Sequence, residues 1–169
     1  PTLKQLKAEG IKNLKFIPPA HDCLKRRPIV ISILTNVYPD GCKREEMFYK
    51  LIKKIDTSKY LFAIMGKGWN ESLFKGLQYK YWNQFDSSIY PEIVNMADYN
   101  LYFGMDEGST GLIDSVNCGV RTISTPQGYH NDIPNGLTHT FETQKELEDI
   151  FNKLVVNPVG DWTWENYVK

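Results

Sequence analysis

Between Tyr99 and Ser124 the chain carries the residue types that hold an anion beside a polyhydroxylated ligand. Residues 99–103 form an apolar run of strand length, and an acidic, glycine-rich loop closes on Glu107-Gly108. A helix then opens at Ser109 or Thr110 and ends at Gly119, and a second strand, Arg121–Ser124, follows. A strand ending in such a loop turns the N–H groups of Ser109, Thr110 and Gly111, with the positive end of the helix, into one crevice that suits a phosphate. Ser109 or Thr110 serves equally as a helix N-cap, and the two roles are compatible. Carboxylates lie on either side of that crevice: Glu107 in the loop and Asp114 one turn inside the helix. Each can accept hydrogen bonds from sugar hydroxyls; for Glu107 the alternative is a solvated loop acid, and for Asp114 a partner of the helix dipole. The combination suits a nucleotide sugar.

The elements that must position this loop alternate along the chain. Ile29–Leu34 and Tyr60–Met65 are apolar runs of strand length, and residues 44–55 place Met47, Phe48, Leu51, Ile52 and Ile55 on one helical face. A short helix over 71–77, a strand Tyr79–Trp82 and a helix from about 91 to 96 follow. A last amphipathic helix, 144–155, presents Leu147, Ile150, Phe151 and Leu154. Strands alternating with helices imply a parallel sheet covered on both faces, an α/β Rossmann-like three-layer domain.

Composition narrows the partners. The 169 residues suffice for one domain with a real core, and Lys plus Arg balances Asp plus Glu at 20 each, so no global field favours nucleic acid or an anionic membrane. No apolar run reaches the ~20 residues of a membrane span. The three cysteines, Cys23, Cys42 and Cys118, match no metal spacing and read as reduced thiols of a cytoplasmic protein. No metal constellation, no Gly-x-Ser-x-Gly and no Walker pattern occurs, which argues against a triad hydrolase or an NTPase. His130 and His139 read as exposed loop or edge histidines.

The wording of the central segment resembles the retaining glycosyltransferases of the GT-B fold, group 1 type. The resemblance lies in Tyr90, Ala97-Asp98, Glu107-Gly108, Asp114, Cys118-Gly119-Val120 and Thr125-Pro126-Gln127-Gly128. It departs from the family in having Asp114 for Glu and six residues, not seven, between Glu107 and Asp114. It implies a donor such as a UDP- or GDP-sugar, with no metal and no other cofactor. Glu107 would hold the donor sugar and Asp114 the ribose diol. The N–H groups of 109–111, with Gly108, would cradle the diphosphate. Lys43, at the Lys of the family's "Arg…Lys-Gly" pair, would neutralise it; the expected Arg falls at Asn36, so Arg44 is the candidate for the second cation. Gly66, in Gly66-Lys67-Gly68, would border the base, on which Trp69 or Tyr90 could stack.

The resemblance covers the C-terminal half of such an enzyme. It implies a linker over 1–27, a nucleotide-sugar-binding domain over 28–158 and a C-terminal helix over 159–169. The short strand at 12–17 and the basic Lys25-Arg26-Arg27 fit that linker, and Trp162, Trp164 and Tyr167 fit the closing helix. A start at Pro1 rather than Met points to a fragment. An acceptor-binding N-terminal domain of about 150 residues would complete the enzyme, and this stretch alone would transfer no sugar. The full enzyme would work in polysaccharide or glycoconjugate synthesis, with peripheral membrane association. The alternatives are the corresponding half of a sugar-nucleotide epimerase, or a degenerate transferase domain serving as an interaction module.

Overall fold

The computed structural model describes residues 3–10, 27–134 and 136–154. By its internal contacts the chain divides into two units, Pro28–Val156 and the remainder. In the remainder, Leu3–Ala8 is a helix, α1. The strand expected at 12–17 and the closing helix at 159–169 lie outside the described residues.

The larger unit is a six-stranded parallel sheet with helices between its strands. In chain order it runs β1 Ile29–Leu34, α2 Glu45–Leu51, β2 Tyr60–Met65, β3 Tyr79–Trp82, α3 Tyr90–Met96 and β4 Tyr99–Tyr102. Then follow α4 Thr110–Asn117, β5 Arg121–Ser124, β6 His139–Thr140 and α5 Gln144–Phe151. The sheet order is β3-β2-β1-β4-β5-β6, and every neighbouring pair is parallel. The chain therefore winds outward in both directions from β1 and β4, and the crevice of such a sheet lies at the carboxyl ends of those two strands. This is the α/β Rossmann-like architecture expected from the alternating runs.

Continuous burial explains why β1 and β2 read as unbroken apolar runs: Ile31, Ile33, Phe62 and Ile64 are all fully buried. One face of α2 (Phe48, Leu51) and one face of α5 (Leu147, Phe151) close over that side of the sheet, with Ile52, Ile55, Ile150 and Leu154 packed at the edge. Polar groups fix the register where the winding reverses. Buried Asn100 donates to Ser32 Oγ at 3.0 Å across β1 and β4, and Asp98 accepts the Val30 N–H at 2.9 Å. Left unpaired in a core, such groups would each cost about 1–3 kcal/mol, so a one-residue slip is disfavoured.

Several elements are shorter than the sequence pattern suggests. The helix expected over 44–55 is regular only to Leu51, that over 71–77 is a 3₁₀ turn Glu71–Phe74, and that over 144–155 ends at Phe151. α5 begins in a capping box, Thr143 with Glu146, which fixes its start. β6, at two residues, is too short to show a period in the sequence.

Candidate functional site

A cavity of about 330 Å³ opens where the sheet order reverses, floored by Leu34 and Met65 at the ends of β1 and β2. Thr110 and Gly111, the first two residues of α4, form one wall, and Asp114, Tyr90 and Phe85 form another. The helix reaches the strand end only because Gly111 has no side chain: a Cβ there would lie 2.6 Å from Leu34 Cβ and 2.9 Å from its carbonyl oxygen. Gly66, at φ +150°, passes Thr35 so closely that a Cβ would stand 2.0 Å from its carbonyl oxygen. These two glycines bring backbone, rather than side chains, to the mouth of the cavity. The first helical bonds run from the Leu112 and Ile113 amides to the Ser109 carbonyl, which leaves the amides of Thr110 and Gly111 to serve a ligand.

Asp114 stands exposed on α4 and accepts the Tyr90 hydroxyl at 2.6 Å. Burial and the Asp114 carboxylate both raise the Tyr90 pKa, so the phenol stays a donor at ordinary pH. Phe85 is 64% exposed and packs on Tyr90 with ring centroids 5.2 Å apart. Trp69, by contrast, belongs to the core: it is 6% exposed, donates to the Thr35 carbonyl at 3.0 Å and meets Phe48 edge-on. It is not among the residues that line the cavity, so of the two aromatics expected to border a base only Tyr90 lies at its wall.

Lys43 and Arg44 do not line the cavity; they gather at the end of β4 instead. Lys43 Nζ donates to Tyr102 Oη at 3.0 Å and forms an ion pair with Asp106. Asp106 also accepts from Tyr102 Oη and, at 3.2 Å, from the Gly108 N–H. Burial tends to raise the Asp106 pKa, but the hydrogen bonds from Lys43 and Tyr102 outweigh it and hold the carboxyl below its usual range. The same surroundings, burial first and then Asp106, push the Tyr102 pKa up. Arg44 is committed to structure. It sits in the left-handed region at φ 48° before α2, and its Nε donates to the Phe103 carbonyl at 2.7 Å.

The acid that the fold engages in this loop is Asp106, the neighbour of the Glu107 to which the sequence points. The Glu107 side chain is exposed, and the fold uses its backbone: its carbonyl accepts the Tyr129 N–H at 3.1 Å, with Gly128 packed against it. Seven residues separate Asp106 from Asp114, so counting back from Asp114 was the signal that marks Asp106. His130 differs from the sequence expectation. It is fully buried rather than exposed, and its Nε2 accepts the Ser109 N–H at 2.7 Å.

Of the predicted residues, Asp114, Thr110, Gly111 and Gly66 share the cavity wall, with Gly108 and Ser109 leading into it. Lys43, Arg44 and Glu107 lie apart from it. Among the described residues no group of three His, Cys, Asp or Glu side chains is placed to hold a metal ion, and no helix is long and apolar enough to cross a membrane.

No protein-family model matches the sequence, and no curated protein matches it either. Solved structures match in fold. HepE of Anabaena, determined with UDP-glucose, superposes with a TM-score of 0.57 at 14% identity over 88% of this chain and 41% of that one. The catalytic domain of starch synthase IV from Arabidopsis thaliana, bound to ADP and acarbose, gives 0.59 at 15% identity over 78% and 32%. The C-terminal domain of a group 1 family glycosyl transferase, LpcC, from Francisella tularensis gives 0.56 at 12% identity over 88% and 79%. This chain thus spans about two fifths of the HepE chain but most of the LpcC domain. It has the fold of the C-terminal domain of a GT-B glycosyltransferase.

Proposed function

We propose that this domain binds the nucleotide-sugar donor of a glycosyltransferase that moves a hexose-type sugar onto an acceptor hydroxyl, with retention of configuration, in polysaccharide or glycoconjugate synthesis. The observation that carries this is the cavity at the sheet's reversal point, where the Thr110 and Gly111 amides and the Asp114 carboxylate face one space. Amides at a helix N-terminus suit a diphosphate, and a carboxylate one turn on suits a ribose diol. The solved structures of like fold with UDP-glucose or with ADP support a nucleotide-sugar ligand.

Transfer of a glycosyl group passes through an oxocarbenium-like transition state while negative charge grows on the departing diphosphate. The α4 amides answer that charge without a metal; the Lys43 ammonium, on the adjoining loop, adds to them only when it leaves Asp106. Asp106, held by Lys43, Tyr102 and Gly108, would accept a hydrogen bond from the donor sugar, with the exposed Glu107 as the alternative acid. An acceptor-binding domain outside this chain supplies the other side of the cleft. The whole enzyme would act in the cytoplasm, with peripheral membrane association.

A thermal-shift panel of UDP-, GDP- and ADP-sugars tests the proposal. A ligand at a hundred times its Kd adds ~2.7 kcal/mol of stability, a rise in Tm of about 5–10 °C for a domain of this size. A panel that leaves Tm unmoved at millimolar ligand overturns the proposal.

A further inference from the structure

His130 has no part in the chemistry proposed above, yet it is fully buried beneath the loop that leads into α4. It lies in a 3₁₀ turn, Gly128–Asp132. Nε2 accepts the Ser109 N–H at 2.7 Å, and Nδ1 stands 3.3 Å from Ser124 Oγ. Ser124 Oγ donates to the Thr125 carbonyl at 3.0 Å, so it is an acceptor toward the ring and Nδ1 carries the imidazole proton. The ring is held edge-on between Tyr102 and Tyr129, at centroid distances of 5.2 and 5.3 Å. Gly108 permits the fit: a Cβ on it would lie 2.9 Å from His130 Nε2 and 2.6 Å from the Tyr129 ring. The Ser109 side chain makes no capping bond to α4, so the imidazole is the group that fixes the helix entrance.

We infer that His130 is the positioning residue of the 106–109 loop: by accepting the Ser109 N–H it sets the first turn of α4 against the cavity, and protonation of Nε2 releases that turn and weakens anion binding. A protonated Nε2 would present one N–H to another, with no acceptor between them. The charged groups that act on the ring are Asp106 and Lys43, which oppose one another; Tyr102 and Tyr129 pack on it as neutral phenols, and Asp132 of its own turn is exposed. Burial, the largest influence, disfavours the imidazolium and keeps the ring neutral at pH 7. The inference rests on the proposed function for the nature of the ligand but not for the Ser109 contact.

Two readouts on the 169-residue chain test it. Without ligand, NMR follows the His130 ring nitrogens and the Ser109 amide from pH 8 to 4.5; the Ser109 amide is expected to titrate with Nε2. With UDP, or whichever nucleoside diphosphate binds tightest, affinity is measured at pH 7.5 and 5.0 for wild type and His130→Gln. Gln keeps an acceptor for Ser109 that cannot be protonated in this range, and the ligand's own phosphate titration is common to both proteins. Wild type is expected to lose about tenfold more affinity than His130→Gln, the worth of one hydrogen bond. His130→Phe, which removes the acceptor, should bind weakly at both pH values. A Ser109 amide that ignores the His130 titration, or identical pH profiles for wild type and His130→Gln, overturns the inference. Absence of any nucleotide binding by wild type would instead count against the proposed function, leaving the amide titration to decide this one.

Discussion

Replacing Asp106 by Asn removes the charge that faces Lys43 while leaving an oxygen for Tyr102 and Gly108. The two side chains of the ion pair are only 12% and 15% exposed, so solvent screens them little. Exposed pairs are worth about 0–1 kcal/mol, whereas stripping one partner from a fully buried pair costs ~3–5 kcal/mol. Asp106→Asn should therefore cost about 2 kcal/mol, and Asp106→Ala, which abandons all three donors, about 3–4 kcal/mol. Lys43→Met leaves Asp106 two of its hydrogen bonds and should cost about 1–2 kcal/mol. The double variant, Lys43→Met with Asp106→Asn, should be no worse than Asp106→Asn alone, a coupling of about 1–2 kcal/mol. Urea denaturation of the four proteins, with a common m-value, measures the cycle. Because the folded Asp106 titrates below its ordinary value, its contribution is complete above about pH 4 and fades as the pH falls further. Additivity of the two single substitutions within about 0.5 kcal/mol would refute the pairing and the placement of Lys43 at the end of β4.

Gly66→Ala forces a Cβ to within 2.0 Å of the Thr35 carbonyl oxygen at φ +150°; unfolding experiments should show a loss of about 2–4 kcal/mol, and an unchanged midpoint would contradict the close approach of β1 and β2 at the cavity. Tyr60 is buried against α5 and donates to the Phe151 carbonyl, and its pKa is pushed up to about 12, by burial first and then by the Asp56 charge. A raised phenol pKa supports the fold below the unfolded value near 10 and loses that support as pH rises toward 12. Alkaline unfolding monitored by circular dichroism should therefore be shallower in Tyr60→Phe; the same slope in both proteins would contradict this. In calorimetry, Asp114→Ala should weaken a nucleoside diphosphate and its sugar ester alike, by about tenfold or more. Asp106→Asn should weaken the sugar ester more, and Glu107→Ala should change neither; a large Glu107 effect would return the sugar contact to that residue.

What the sequence disclosed is what short-range chemistry determines. The unbroken apolar runs of β1 and β2, the face of α2 and the strand-loop-helix around Gly108 each show within a dozen residues, and the sheet follows from their alternation. β6 escaped because two residues carry no period and its pairing with β5 is a tertiary event. Trp69, beside Gly68, reads as one of two aromatics that could stack on a base, but Phe48 and Phe103 meet it from elsewhere in the chain. His130 lies in the polar run Gly128-Tyr129-His130-Asn131-Asp132, and nothing local shows that the ring turns inward to Ser109. Asp106 and Glu107 are neighbouring acids; the spacing to Asp114 separates them in the sequence, and the three donors that converge on Asp106 from Lys43, Tyr102 and Gly108 separate them in the fold.

The central claim is that the crevice beside α4 is an anion site for a nucleoside diphosphate. Isothermal titration of the chain with a nucleoside, its monophosphate and its diphosphate, each with and without EDTA, tests it most directly. Affinity should climb with phosphate charge and be indifferent to EDTA. Equal binding of nucleoside and diphosphate, or binding that requires Mg²⁺, would contradict the account.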